Sequence, residues 1–149
     1  MPETAPLIVT AALDEGGFDW FDDLRRAHFP AHRNVVPAHL TLFHALPGEQ
    51  EARVAEVVKG ACATRAPMRR PWFIGRGVAY RIASPQLEAL RDELAQAFAP
   101  WLTPQDRAPF RPHITIQNKA DPAEARSLCE RLQLEFEPFD ITAEGLLVW

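Results

Sequence analysis

His39-Leu40-Thr41-Leu42 and His113-Ile114-Thr115-Ile116 are two copies of one pattern, 74 residues apart. Each copy lies in an apolar stretch, β-branched in the second, that reads as a strand. Successive strand side chains point to opposite faces, so His and Thr share one face and the aliphatic residues take the other. Five His and seven Thr in 149 positions give about a quarter of one His-x-Thr by composition alone, so a matched pair stands above chance. Two imidazoles, each with a hydroxyl two residues on, are the equipment for moving protons at both ends of a phosphodiester displacement.

Outward from these strands the chain alternates strand and helix signals. Pro6 to Leu13 reads as a buried strand, broken by Gly16-Gly17, and Phe18, Phe21, Leu24 and His28 then recur at helical spacing up to Pro30. A polar, proline-containing loop over Ala31–Ala38 leads into the first motif strand, His39–Leu46, which Pro47-Gly48 closes. A helix from about Glu49 to Ala63 follows, with Val54, Val57, Val58, Ala61 and Cys62 on one face. Trp72–Ala83 reads as one or two strands around Gly75-Arg76-Gly77, where a bend or hairpin is favoured over a phosphate loop. Ser84-Pro85 and Asp121-Pro122 are cap-plus-proline helix starts. Between them Thr103–Pro112 is expected to be loop and His113–Asn118 the second motif strand. Leu134–Phe136 and Ile141–Val148 supply the last strands. Motif strand, turn, helix and further strand thus occur twice. The expectation is a single α+β domain over 1–149, built as two lobes, one around each motif. Mainly antiparallel sheets would meet about a pseudo-twofold axis and line a central cleft, with helices outside.

Hydrophobic content of 47% and 24% charged residues suit a globular domain, and no apolar run approaches a membrane span. Met1-Pro2-Glu3-Thr4 offers no basic region ahead of the apolar stretch, so no secretory leader is expected. Cys62 and Cys129 read as buried free thiols on helices, which points to the cytosol. A monomer without membrane partners is expected. Lys59 to Arg81 holds six cations and no acid, interleaved with Trp72, Phe73 and Tyr80; within a formal charge of −4, that leaves −10 elsewhere. A local basic and aromatic strip on an acidic body suits one phosphorylated ligand or a strand end better than a long duplex.

Metal hydrolysis finds no support, because neither His-x-His nor His-Glu-x-x-His occurs and no carboxylate accompanies either motif His. Cysteine chemistry is disfavoured by the apolar helix faces on which both thiols are placed. The remaining histidines read otherwise. His44, five positions past His39, falls on the opposite face of a regular strand, His28 fits a helix face, and His32 lies with Arg33 and Asn34 in the loop before motif one. Phe43 and Gln117 each stand two residues past a motif Thr and share its parity. Phe43, Arg33, Trp72 and Phe110 are candidate substrate contacts, the aromatics by stacking on a base.

Pro37-Ala38-His39-Leu40-Thr41-Leu42-Phe43 and Arg111-Pro112-His113-Ile114-Thr115-Ile116, with the order of elements around them, resemble the 2H phosphoesterase superfamily, in particular its bacterial 2′-5′ RNA ligase-like and RNA 2′,3′-cyclic phosphodiesterase members. The resemblance implies a bilobal α+β fold and catalysis without metal or other cofactor. It implies that His39 and His113 act as acid and base, His39 as the acid in hydrolysis, while Thr41 and Thr115 bind phosphate oxygens. The implied substrate is an RNA end or cyclic nucleotide carrying a 2′,3′-cyclic phosphate, opened to a 2′-phosphate, with reversible 2′-5′ RNA ligation as a further activity. A noncatalytic RNA- or nucleotide-binding module of the same fold is the alternative. Intact His and Thr in both copies speak against it.

Overall fold

The computed structural model describes residues 5–59 and 63–149. Strands β1 (Leu7–Leu13), β2 (Thr41–Leu46), β3 (Thr64–Phe73), β4 (Val78–Ile82), β5 (His113–Gln117) and β6 (Asp140–Val148) form one sheet in the order β2-β1-β6-β3-β4-β5. Every pairing is antiparallel. Helices α1 (Glu15–His28), α2 (Glu51–Lys59), α3 (Pro85–Ala97), α4 (Pro104–Arg107) and α5 (Pro122–Glu135) pack on one side of it. The α+β class stands as the sequence implied, and the second motif strand nearly so, whereas the first begins at Thr41 and leaves His39 and Leu40 in the segment that enters it. Ala61, Cys62 and the N-terminal Met1–Thr4 lie outside the described residues. Among the described residues no helix is long and apolar enough to cross a membrane.

The middle strand β3 is shared. Thr64–Pro67 pairs with β6, whereas Met68–Phe73 pairs with β4, so β2-β1-β6 and β4-β5 are two halves hinged on one strand. Its first part escapes a sequence reading, since Thr64–Pro71 carries three arginines and two prolines. Those residues are tolerated because each part of β3 takes partners from one side at a time, leaving N–H positions that no ladder needs. The helices then tie the halves together. Helix α1 leaves β1 but packs against β5, while α3, which follows β4, sends Arg91 to the β2 backbone.

Three further departures have local causes. Gly16 and Gly17 lie inside the first turn of α1, which Asp14 caps by accepting the Gly17 N–H at 3.1 Å. Gly17 is needed for seating rather than breaking: a Cβ there would stand 2.8 Å from Ile141 Cγ2. The expected loop before β5 contains α4, capped by Thr103, whose hydroxyl accepts the Asp106 N–H at 3.3 Å. Leu134 and Glu135 continue α5 instead of forming a strand, and Leu134 is left exposed. The core lies between sheet and helices, with Phe21, Leu40, Phe43, Tyr80, Leu94, Phe98, Ile114 and Ile116 all buried. Cys129 is a buried free thiol within it, and burial pushes its pKa up.

Candidate active site

Strands β2 and β5 are the two ends of the sheet, and their outward faces differ from their core faces as the motifs require. Leu40, Leu42, Ile114 and Ile116 are buried, while His39, Thr41 and Thr115 are half-buried and His113 is exposed. Each imidazole is fixed the same way. His39 Nδ1 lies 2.9 Å from the Pro37 carbonyl oxygen, and His113 Nδ1 lies 2.7 Å from that of Arg111. A carbonyl can only accept, so each Nδ1 carries the hydrogen, and Nε2 is the atom free to take or give a proton. Among the described residues neither motif hydroxyl has a protein hydrogen-bond partner, which leaves both able to donate to a ligand oxygen.

Burial lowers the His39 pKa below its ordinary 6.5; the Pro37 hydrogen bond opposes this, and the charges of Arg25, His113 and His44 add to it. His39 is thereby biased toward the neutral form, the one that accepts a proton.

Both motif strands bulge just beyond the motif. On β2, Thr41 opposes Thr10 but Phe43 opposes Val9, an extra residue that turns Phe43 into the core at 0% exposure. On β5, Thr115 opposes Ala79 but Gln117 opposes Val78, and Gln117 is likewise buried. Phe43 and Gln117 thus leave the cleft face that strict alternation assigns them. A second irregularity between Val9 and Leu7 leaves His44 and Ala45 opposite Ile8, on the Thr41 side. His44 is accordingly exposed on the cleft face, contrary to its parity.

Of the other candidates, Trp72 is brought to the site: its ring meets that of His113 edge-on, centroids 5.8 Å apart. Phe110 is half-buried against Arg91, whose guanidinium carbon lies 5.4 Å from its ring centre. Arg33 sits exposed on a 3-10 turn, Ala31–Arg33, ahead of β2.

Two buried arginines hold the motif strands from outside the ladder. Arg25 on α1 donates to Thr115 O at 2.9 Å, to Val36 O at 2.9 Å and to Asn34 Oδ1 at 2.7 Å, bridging β5 to the segment that enters β2. Arg91 on α3 donates to Leu42 O at 3.1 Å and Asp106 O at 2.6 Å, with its guanidinium 4.1 Å from the Phe43 ring centre. The Asp106 carboxylate accepts the N–H groups of His44 and Ala45 at 2.9 and 3.0 Å. Sequence reasoning missed all three. The available signal was an arginine at a core spacing: Phe21 with Arg25 on α1, and Leu87, Arg91 and Leu94 on α3. Among the described residues no three His, Cys, Asp or Glu side chains are grouped so as to hold a metal ion.

Among solved structures, the fold is similar to the crystal structure of TT0787 of Thermus thermophilus, with a TM-score of 0.60 over 96% of this chain and 86% of that one, at 18% identity. Among curated proteins no significant sequence match is found. The profile of the 2′-5′ RNA ligase superfamily matches residues 13–149, a span that holds both His-x-Thr strands and the helices that brace them. The resemblance carried by those two strands is borne out, and the chain belongs to the 2′-5′ RNA ligase superfamily.

Proposed function

We propose that this protein hydrolyses the 2′,3′-cyclic phosphate end of an RNA or nucleotide to a 2′-phosphate, by acid–base catalysis from His39 and His113 without a metal ion. The observation that carries the reading is the matched presentation of two imidazoles, each with Nδ1 held by a carbonyl and Nε2 free, beside two unengaged threonine hydroxyls. In-line displacement puts the attacking water and the leaving ribose oxygen on opposite sides of phosphorus. One neutral imidazole takes the water proton as the new P–O bond forms. The other, protonated, gives its proton to the 3′ oxygen as the old bond breaks. Thr41 and Thr115 donate to the non-bridging oxygens as charge builds there. With a 5′-hydroxyl RNA end attacking phosphorus in place of water and the same 3′ oxygen leaving, the same groups serve 2′-5′ ligation. The acid role that resemblance assigns to His39 requires the bound phosphate's negative charge to offset the burial that disfavours its protonation.

The test is hydrolysis of cytidine 2′,3′-cyclic phosphate and of short RNAs with the same end, in excess EDTA. Turnover should survive the chelator, and kcat/KM should be bell-shaped in pH, because one imidazole must be neutral and the other charged. The two limbs belong to the pair rather than to either residue. Phosphorus NMR should identify a 2′-phosphate. Activity lost to EDTA and restored by a divalent metal would overturn the mechanism; binding without turnover would return the chain to the noncatalytic reading.

A further inference from the structure

The cleft floor is lopsided in charge. On the β5 side, Arg81 stands directly opposite His113 in the ladder and so shares its face, about one strand spacing, or 5 Å, away. Between Met68↔Ile82 and Pro71↔Tyr80, β3 carries one residue more than β4, so Arg69 and Arg70 together oppose Arg81. Trp72, opposite Ala79, continues the same face, and Ala79 in turn opposes Thr115. All three arginines are exposed and none has a carboxylate partner among the described residues, whereas neighbouring Arg65 is paired with Asp140. Across the cleft the corresponding floor of β1 and β6 is Ile8, Thr10, Ala12, Gly145 and Leu147, with no cation and with exposed Glu144 at the Ala12/Leu13 irregularity, and the Trp149 indole lies over it, donating from Nε1 to Thr10 Oγ1 at 2.9 Å.

Three unneutralised guanidiniums beside one imidazole, and a floor without cations beside the other, give the cleft a polarity along its length. A mononucleotide would have no use for the distant charges, and a duplex would need them on both sides. We propose that the body of a single-stranded RNA runs over β3 and β4, its phosphates upstream of the reacting end held by Arg81 and the Arg69–Arg70 bulge. This inference rests on the proposed function and assigns its substrate class: oligonucleotide ends over free cyclic nucleotides. Arg81 and its neighbours are binding residues here; the proton transfers remain with the imidazoles.

Two measurements test it together. A labelled RNA hexamer ending in a 2′-phosphate should bind with an affinity that falls steeply with salt. For single strands the logarithmic slope is about 0.7 per phosphate contact, so Arg81→Ala should flatten it by about 0.7 and the Arg69→Ala/Arg70→Ala/Arg81→Ala variant by about two. In turnover, the ratio of kcat/KM for the cyclic-phosphate hexamer to that for cytidine 2′,3′-cyclic phosphate should drop at least tenfold in the triple variant. Arg26→Ala, which removes a cation paired with Asp22 and Asp23 on the exterior of α1, is the control and should keep both slope and ratio. A triple variant with wild-type slope and ratio overturns the proposed path, as does a hexamer that fails to bind. Salt-dependent hexamer binding with no hydrolysis of either substrate would instead sink the phosphodiesterase reading and leave the path standing.

Discussion

The reactivity of each imidazole is set by a backbone carbonyl two residues upstream, so the histidines are interchangeable with nothing that lacks a ring N–H at that point. His39→Ala and His113→Ala should each lower turnover of a 2′,3′-cyclic phosphate by about 10²–10⁴-fold while the protein stays folded, the usual range for a general acid or base. The double variant should be little worse than the poorer single, since groups that act as a unit are not additive. Steady-state kinetics beside circular dichroism checks this; a folded single variant with near-normal rates would falsify the two-histidine mechanism. Thr41→Val and Thr115→Val keep the strand-forming shape and remove a donor. Each should cost about 1.5–3 kcal/mol of transition-state stabilisation, the scale of a hydrogen bond to a charged group, seen as roughly a 10- to 150-fold loss in kcat/KM. Equal efficiency in both variants would reduce the threonines to strand formers.

At the scale of elements, the bulges decide what faces the substrate. Alternation set His113 with Thr115 inside β5, and His39 with Thr41 although His39 lies two residues ahead of β2. It failed one step later, at Phe43, Gln117 and His44, because an inserted residue resets the parity and nothing in the local composition marks the insertion. The same limit hid Arg81: its place beside His113 is a matter of register between β4 and β5, which depends on a partner strand rather than on its own neighbours. Register at that seam is protected by Gly77. A Cβ there would fall 1.7 Å from the Gln117 carbonyl oxygen, in backbone that cannot give way as a side chain would. Gly77→Ala should therefore destabilise the fold by more than the about 1–3 kcal/mol typical of overpacking, read as a lower urea midpoint, and should shift the β4–β5 pairing that carries Arg81 and His113. A variant with an unchanged midpoint would show that the seam relaxes freely.

For the molecule as a whole, His28 and His39 both have pKa values held below the ordinary 6.5, chiefly by burial. The unfolded chain then binds more protons than the folded one as pH falls through 6.5 toward the lowered values. Stability is accordingly full above that window and declines within it. Urea titrations at about pH 7.5 and pH 5 should show lower stability at the acid end, and His28→Asn and His39→Asn should each flatten the difference; a pH-independent midpoint would contradict the assigned burial. Charge also bears on self-association, through the way the sheet ends. The two strands that carry the His-x-Thr motifs are both terminal strands, and a terminal strand with open N–H and C=O groups is a template onto which another copy can add. Asp106 occupies the N–H groups of His44 and Ala45, Arg91 the Leu42 carbonyl, and Arg25 that of Thr115. The braces of the cleft are thus also guards against polymerisation. In Asp106→Ala, two N–H groups on β2 lose their acceptor, and the cheapest replacement is the edge of a second molecule. Light scattering on that variant should report slow growth of β-rich aggregates at concentrations where the parent protein stays clear.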